Sequence, residues 1–230
     1  MEAEKTVPSG NQKKEDMQEE MDEELALNLY GNTMTGNWES IVEMYKQHTL
    51  AAFSARINSS RDTALHVAVS IAPENIVIEL IRVISHISEL VLLIKNDEGN
   101  TPLHVAASTG RLKICILLAT LVSGFSEIRD LDDKDLFRNK VGETPLFLAA
   151  FHGYKPIFLY LHMALLATDT DLKSVDPGYR RNDGETALHC AIKWEYFGED
   201  FLLNFFSLHL LNKTWINVLL YIVEIYNVFR

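Results

Sequence analysis

One short phrase returns four times along the chain and constrains its fold more than any other feature. Each copy starts with Thr, continues with Ala or Pro, Leu and an aromatic ring, and has Ala three places after the Leu. The copies are residues 63–68, 101–106, 144–149 and 186–191. A phrase that returns at a roughly constant interval indicates a stack of similar units, each of which buries its apolar side only against its neighbours.

Each unit is predicted to consist of two short helices. Thr at the N-cap can satisfy amides of the first turn, and Pro is tolerated at the first helical position because its missing N–H costs nothing there. A glycine nine residues after the Thr, Gly110 or Gly153, can end the first helix in the left-handed conformation. The second helices are predicted at 76–87, 112–122 and 156–167, where the sequence is nearly all apolar.

A turn signal with a central glycine precedes three of the phrases, at 97–100, 140–143 and 182–185. Because glycine supplies the positive φ of a tight turn, we expect these turns to project together from one edge of the stack. Counting back from Gly36 adds one degenerate unit start. The sequence thus predicts an all-α solenoid of about five helix-turn-helix units with enlarged loops between them, starting near residues 27, 63, 101, 144 and 186.

The residues that recur between units are predicted to have packing and capping roles. They are Thr63, Leu65, His66, Thr101, Pro102, Leu103, His104, Gly110, Thr144, Pro145, Leu146, Gly153, Thr186, Leu188 and His189. The histidines also look like candidate bases. A ring that links its own Thr to the next turn explains one His in each unit, whereas catalysis needs a single asymmetric constellation.

Other chemistry receives little support from the sequence. No glycine-rich phosphate loop follows a strand, and Cys115 and Cys190 have no Cys or His at the spacing of metal ligands. The acidic residues in 127–135 lack the central Gly and closing Glu of a calcium loop. We therefore expect no catalytic residue, no cofactor, no metal and no small-molecule substrate.

Composition bounds the partners and the compartment. The formal net charge is -11, and residues 1–24 hold nine acids and three lysines, which places -6 of it there. No cluster of Lys or Arg favours nucleic acid or anionic lipid. Residues 1–24 have few aromatic or β-branched side chains and are expected to be a disordered acidic tail that becomes helical only near Leu25. Two cysteines and no visible secretory signal favour the cytoplasm.

The segment 201–229 is apolar but interrupted by polar residues. Its uncharged runs, 201–212 and 214–223, are shorter than the roughly 18 residues of a membrane helix. We favour a helix that covers the open end of the stack; insertion into a membrane, self-association and a non-native reading frame are the alternatives. The predicted division is an acidic tail at 1–24, a repeat domain at 25–211 and an apolar helix of uncertain role at 212–230.

The phrases Gly-x-Thr-Pro-Leu-His-x-Ala-Ala at 99–107 and Gly-x-Thr-Pro-Leu-Phe-x-Ala-Ala at 142–150 closely resemble the signature of ankyrin-repeat proteins. The enlarged loops, with the segments 29–38 and 189–197, also resemble the N-terminal ankyrin region of plant proteins that continue into a PGG-type membrane domain. That resemblance implies defence, cell-death or salt-stress signalling at the plasma membrane. The PGG-type domain itself is expected to be absent, because no PGG segment follows residue 197.

These features predict a non-enzymatic scaffold that binds a protein partner through residues that differ between units. The predicted partner contacts are Glu98, Asn100, Ser108, Glu143, Phe151, Glu185, Lys193 and Trp194. The alternative is a membrane-associated signalling subunit at the inner face of the plasma membrane, tethered through 201–229 or through larger relatives.

Overall fold

The computed structural model of the chain describes residues 10–47, 50–123, 137–168, 180–187 and 189–190. Helices dominate these residues, and no β-strand occurs among them, so the predicted all-α class is confirmed. The helices are α1 Gly10–Thr35, α2 Trp38–Gln47, α3 Leu50–Ser54, α4 Ala64–Ile71, α5 Glu74–Ile87, α6 Pro102–Ser108, α7 Leu112–Ser123, α8 Pro145–Phe151 and α9 Lys155–Thr168. A 3₁₀ helix, Glu89–Leu93, follows α5.

Four helix pairs form successive units of a stack: α1 with α2, α4 with α5, α6 with α7, and α8 with α9. The first helices pack side by side in the order α1, α4, α6, α8, and the second helices in the order α2, α5, α7, α9. The second helices predicted at 76–87, 112–122 and 156–167 are observed one or two residues longer. We number these units 1 to 4, and unit 5 begins at Thr186.

One continuous core runs along the stack between the two layers of helices. Leu65, Leu103 and Leu146 of the repeated phrases contribute to it, since they are at most 6% exposed. Ala68 and Ala106 are fully buried, and their small side chains allow neighbouring first helices to approach closely. Burial of apolar surface at about 25 cal/mol per Å² is the main stabilising contribution, and every unit obtains it only from its neighbours.

The N-terminal helix corrects one expectation. Residues 10–24 were predicted to be disordered, but they belong to α1, which continues without a break to Thr35. Glu, Gln, Lys and Met, which fill the first part of α1, lose little side-chain freedom in a helix. The same helix gains tertiary support further on, where Leu29 is fully buried, and it ends just before Gly36, at φ +70°.

Several predictions concern residues outside the described ones. These are the larger part of the enlarged loops predicted at 124–140 and 169–181, the acidic residues of 127–135, the boundary near residue 211, and the segment 201–229. Within the described helices, none combines the length and the apolar character that crossing a membrane requires.

Candidate functional site

The conserved-looking Thr of each phrase caps a first helix. Thr63, Thr101 and Thr144 have extended backbones, with ψ of 165°, 167° and 163°, immediately before α4, α6 and α8. Pro102 and Pro145 occupy the first helical position after two of these caps. The Thr144 hydroxyl accepts a hydrogen bond from the Phe147 N–H at 3.1 Å. These side chains are therefore committed to starting the helices.

In units 2 and 3 the histidine of the phrase joins its own cap to the following turn. In unit 3, His104 Nδ1 accepts from the Thr101 N–H at 3.1 Å, while Nε2 lies 3.1 Å from the Phe137 carbonyl and 3.2 Å from the Glu143 carbonyl. Because Nδ1 is an acceptor here, the hydrogen of the neutral ring is on Nε2 and points at those carbonyls. His66 makes the same link in unit 2, with Nε2 3.0 Å from the Asn100 carbonyl.

Burial keeps these rings neutral. Desolvation lowers the pKa of His104 to about 4, and it also lowers the pKa of His66 and of the half-buried His189, whose Nδ1 accepts from the Thr186 N–H. A ring that is buried and fully bonded has no free nitrogen for proton transfer to a substrate. Burial likewise raises the pKa of the Cys115 thiol to about 12, which leaves it protonated and a poor nucleophile.

The turns before the first helices form a ladder along one edge of the stack. The Asp97 N–H donates to the Ser60 carbonyl at 2.9 Å, the Lys140 N–H to the Glu98 carbonyl at 2.9 Å, and the Asn182 N–H to the Val141 carbonyl at 3.1 Å. Each turn thus bonds the next one, as the shared position of the turn signals led us to expect.

A positive φ is common to the three turn glycines, and two of them, Gly99 and Gly142, are also approached closely by the next turn. At Gly99, φ is +82°, and a Cβ would lie 2.8 Å from the Lys140 backbone nitrogen. Gly142 and Gly184 share the positive φ, at +86° and +91°. In unit 2 the equivalent residue is Arg61, which adopts φ +54° although it has a side chain. That turn therefore carries backbone strain that the glycine-containing turns avoid.

A recurring asparagine supports the ladder and was missed by the sequence analysis. Asn96 accepts the Glu98 and Asn100 amides on Oδ1, which closes its own turn, and its Nδ2 donates to Asp62 of the preceding turn at 2.8 Å. Asn139 does the same in the next turn, donating to the Asn100 side chain at 3.0 Å. The missed signal was Asn five residues before Thr in three successive units, at positions 58, 96 and 139.

We call the contact between the turns and rings of two successive units a joint. The joint between units 4 and 5 differs in its side chains from the joints formed by His66 and His104. Phe147 stands where units 2, 3 and 5 have His, and the Arg181 guanidinium lies 5.9 Å from the centre of its ring. Arg181 also replaces the recurring asparagine, and it pairs with Glu143 at 3.4 Å, with Glu185 at 3.8 Å and with Asp183. The guanidinium lowers the pKa of the Asp183 carboxyl. An aromatic and ionic contact therefore takes the place of a neutral hydrogen-bonded link.

Two glycines end first helices, and a basic side chain reinforces one of these ends. Gly110 and Gly153 have φ of +76° and +75°. Beside Gly110, the Arg111 guanidinium donates to the carbonyls of Val69 at 2.9 Å and Ala72 at 2.6 Å, at the end of α4. A cation at the C-terminal end of a helix satisfies its last carbonyls and suits its dipole.

The structure divides the predicted partner contacts into three groups. Glu98 is exposed at a turn tip, and Ser108 and Phe151 lie half-buried at the ends of α6 and α8. Asn100 and Glu143 are bonded between turns, and the Glu143 side chain is only 16% exposed, because Asn139 and Arg181 contact it. Glu185 pairs with Arg181. Lys193 and Trp194 lie outside the described residues, as does Leu188, which was predicted as a packing residue of the repeat.

Each first helix has one side at least partly exposed to solvent. Together these sides form a surface that we call the inner surface. It consists of the exposed and half-buried residues among those four, seven and eight places after Thr63, Thr101 and Thr144: Val67, Ser70, Ile71, Val105, Ser108, Thr109, Phe151 and His152. Ile71 is 66% exposed, and Phe151 stacks on Phe147 at 6.4 Å and meets the His152 ring edge-on at 5.2 Å. The turn ladder borders this surface along one edge.

No group of three or more His, Cys, Asp or Glu in the described part of the chain is arranged to hold a metal ion. A family model for ankyrin repeats (3 copies) matches residues 37–132 and 91–174, more than half of the chain. The chain belongs to the ankyrin-repeat family. No curated protein matches it. Ankyrin repeats are protein-interaction modules, so these ankyrin units form a protein-interaction scaffold in that general sense.

Proposed function

We propose that the chain is a non-enzymatic scaffold that binds a protein partner across the inner surface and the neighbouring turn tips. The observation that carries the proposal is the division of roles within each unit. The Thr, Leu and aromatic residues are used in caps, core and joints. The outward residues of the first helices and turn tips differ from unit to unit, and stacked repeats use such surfaces for recognition.

The structure sharpens the choice of contact residues. Among the predicted contacts, Glu98, Ser108 and Phe151 have side chains that lie at least partly at the surface, and the side-chain hydrogen bonds of Glu98 and Ser108 lie within their own turn and helix. Asn100 and Glu143 are better understood as supports for the ladder, since both accept hydrogen bonds from Asn139. Replacing either support would disturb the fold as well as recognition, so neither makes a clean test.

A pair of serines makes a matched test. Ser108 on α6 and Ser85 on α5 are both partly exposed, and each hydroxyl donates to the carbonyl three residues earlier at 3.0 Å. They differ in lying on a first and a second helix. We expect Ser108→Arg to remove the proteins captured from a plant cell extract by the immobilised full chain, whereas Ser85→Arg leaves them unchanged. Equal capture by both variants, at equal thermal stability, would refute the proposal.

The resemblance to plant ankyrin proteins supports a more specific role for this scaffold, namely stress or defence signalling in the cytoplasm. The membrane-associated alternative rests on the apolar sequence of 201–229. Fractionation of the full chain against a version ending near residue 167 separates these two ideas. Release of the full chain into the soluble fraction together with the shorter one would exclude membrane attachment through that segment.

A further inference from the structure

The first helices α4, α6 and α8 carry no formal charge. No Asp, Glu, Lys or Arg occurs within α4, α6 or α8, or within the aligned part of α1 at 27–35. The only ionisable side chain of the inner surface is His152, which stacks with Tyr154. The second helices contrast with this, because Glu74, Glu79 and Lys113 are charged and exposed or half-exposed on them.

Some of the charges on the neighbouring turns and second helices are paired with one another, and the exposed Glu98 accepts a hydrogen bond from the Asn100 side-chain amide of its own turn. Arg61 pairs with Asp97 at 3.6 Å along the turn ladder, and Lys113 pairs with Glu74 at 2.8 Å where second helices begin. A charged partner side chain placed on the inner surface would lose hydration without finding an opposite charge. An apolar side chain there would instead bury Ile71, which is 66% exposed, and the half-buried Phe151.

We propose that the partner of this scaffold docks an uncharged, apolar segment of its chain across the inner surface, from Ile71 to Phe151. The inference rests on the proposed function and names the chemistry of its partner. Packed helices are about 8–10 Å apart, so α4 and α8 are separated by about 16–20 Å. An extended segment of roughly five or six residues spans that distance.

A displayed library of random 12-residue peptides, selected on the immobilised full chain, provides the probe. We expect the selected peptides to share an apolar run of at least about five residues without charge. Their affinity should change less than about twofold between low and high salt, because little of it is coulombic. Ile71→Glu should weaken binding about tenfold or more, since it places an unpaired charge against the apolar run.

The matched control is Ile87→Glu, because Ile87 is 50% exposed at the end of the second helix α5. It should leave peptide affinity unchanged. Selected peptides that are acidic or basic and dissociate in high salt, yet still lose affinity in Ile71→Glu, would overturn this inference and leave the scaffold proposal standing. Equal binding to the original chain, Ile71→Glu and Ile87→Glu would overturn the inner surface as the docking site altogether.

A second copy of the chain is the competing occupant. Sedimentation of the full chain in the absence of peptide distinguishes it. We expect the same sedimentation behaviour for the original chain and for Ile71→Glu. A dimer that becomes a monomer in Ile71→Glu, but not in Ile87→Glu, would show that the surface is covered by another copy and would overturn the inference.

Discussion

The joint between units 3 and 4 and the joint between units 4 and 5 solve one geometric problem with different chemistry. Both keep a backbone bond between turns, from Lys140 to Glu98 at 2.9 Å and from Asn182 to Val141 at 3.1 Å. The first is completed by the buried, neutral His104, and the second by Arg181 over Phe147. Backbone geometry therefore sets the stacking, while side chains decide which solution conditions weaken each joint.

Acid should weaken the histidine joint most. The unfolded chain binds a proton at His104 below about pH 6.5, whereas the folded chain does so only near pH 4, so stability falls as pH drops through this window. The loss from His104 is expected to be roughly 3 kcal/mol between pH 7 and pH 4. Urea unfolding of the original chain and of His104→Phe, at a series of pH values, measures it.

In His104→Phe this part of the pH dependence should disappear, although the variant starts less stable at pH 7 because two hydrogen-bonded links are lost. His86→Phe on the exposed side of α5 is the control for the substitution itself. Retention of the full acid sensitivity in His104→Phe would contradict the role assigned to His104.

Glycine substitutions should distinguish a turn whose glycine is closely approached by the next turn from a turn whose glycine no described residue closely approaches. Gly99→Ala is expected to cost about 2–3 kcal/mol, because the left-handed backbone disfavours a side chain and the Cβ would press on the Lys140 nitrogen at 2.8 Å. Gly184→Ala meets no described atom within 4 Å, so it should cost only the conformational part, about 1–2 kcal/mol. The shift of the denaturant midpoint, at an unchanged slope, measures the loss of stability in each variant. Equal losses in Gly99→Ala and Gly184→Ala would refute the distinction.

Salt should weaken the arginine joint and spare the histidine joint. Arg181→Ala is expected to cost about 1 kcal/mol at low ionic strength, through its pairs with Glu143 and Glu185 and its contact with Phe147. In about 1 M salt most of the ionic part should vanish, since the Debye length falls to about 3 Å. A double-mutant cycle with Glu143→Gln isolates the pair, and a coupling energy that ignores salt would argue against it.

The smallest expected effect has the opposite sign. Arg61→Gly should stabilise the chain by about 0.5 kcal/mol, because relief of the left-handed strain outweighs the loss of the exposed Arg61–Asp97 pair. Thermal unfolding of the variant tests this. A lower melting temperature would mean that Arg61 is better placed than its φ of +54° suggests.

Most of the helices and turns of the stack could be predicted from single residues in the sequence. Thr, Pro and Gly have narrow conformational roles, so the caps, the helix ends and the turns could be placed from Thr101, Pro102 and Gly110 alone. The helix at residues 10–24 could not, because its side chains lack the apolar pattern on which helix prediction depends.

The joint formed by Arg181 and Phe147 could not be predicted from the sequence, for a different reason. Phe147 and Arg181 are departures from the repeat in two separate units, and only the stacked fold brings them to 5.9 Å. Comparison of equivalent positions would have revealed Asn58, Asn96 and Asn139, but a search for glycine turn signals passes over them. The inner surface was predicted only in part, since Ile71 and His152 are defined by exposure, which a sequence does not state.

The rings of the joints also give the stack a polarity. His66 reaches from unit 2 to the Asn100 carbonyl ahead of it, and His104 reaches from unit 3 to the Glu143 carbonyl ahead of it. Removal of trailing units would leave the ring N–H of the last histidine without its carbonyl, whereas removal of leading units would leave a turn N–H, such as that of Asp97 or Lys140, without its acceptor. Truncation from either side therefore breaks bonds between units and should lower the stability of the units that remain.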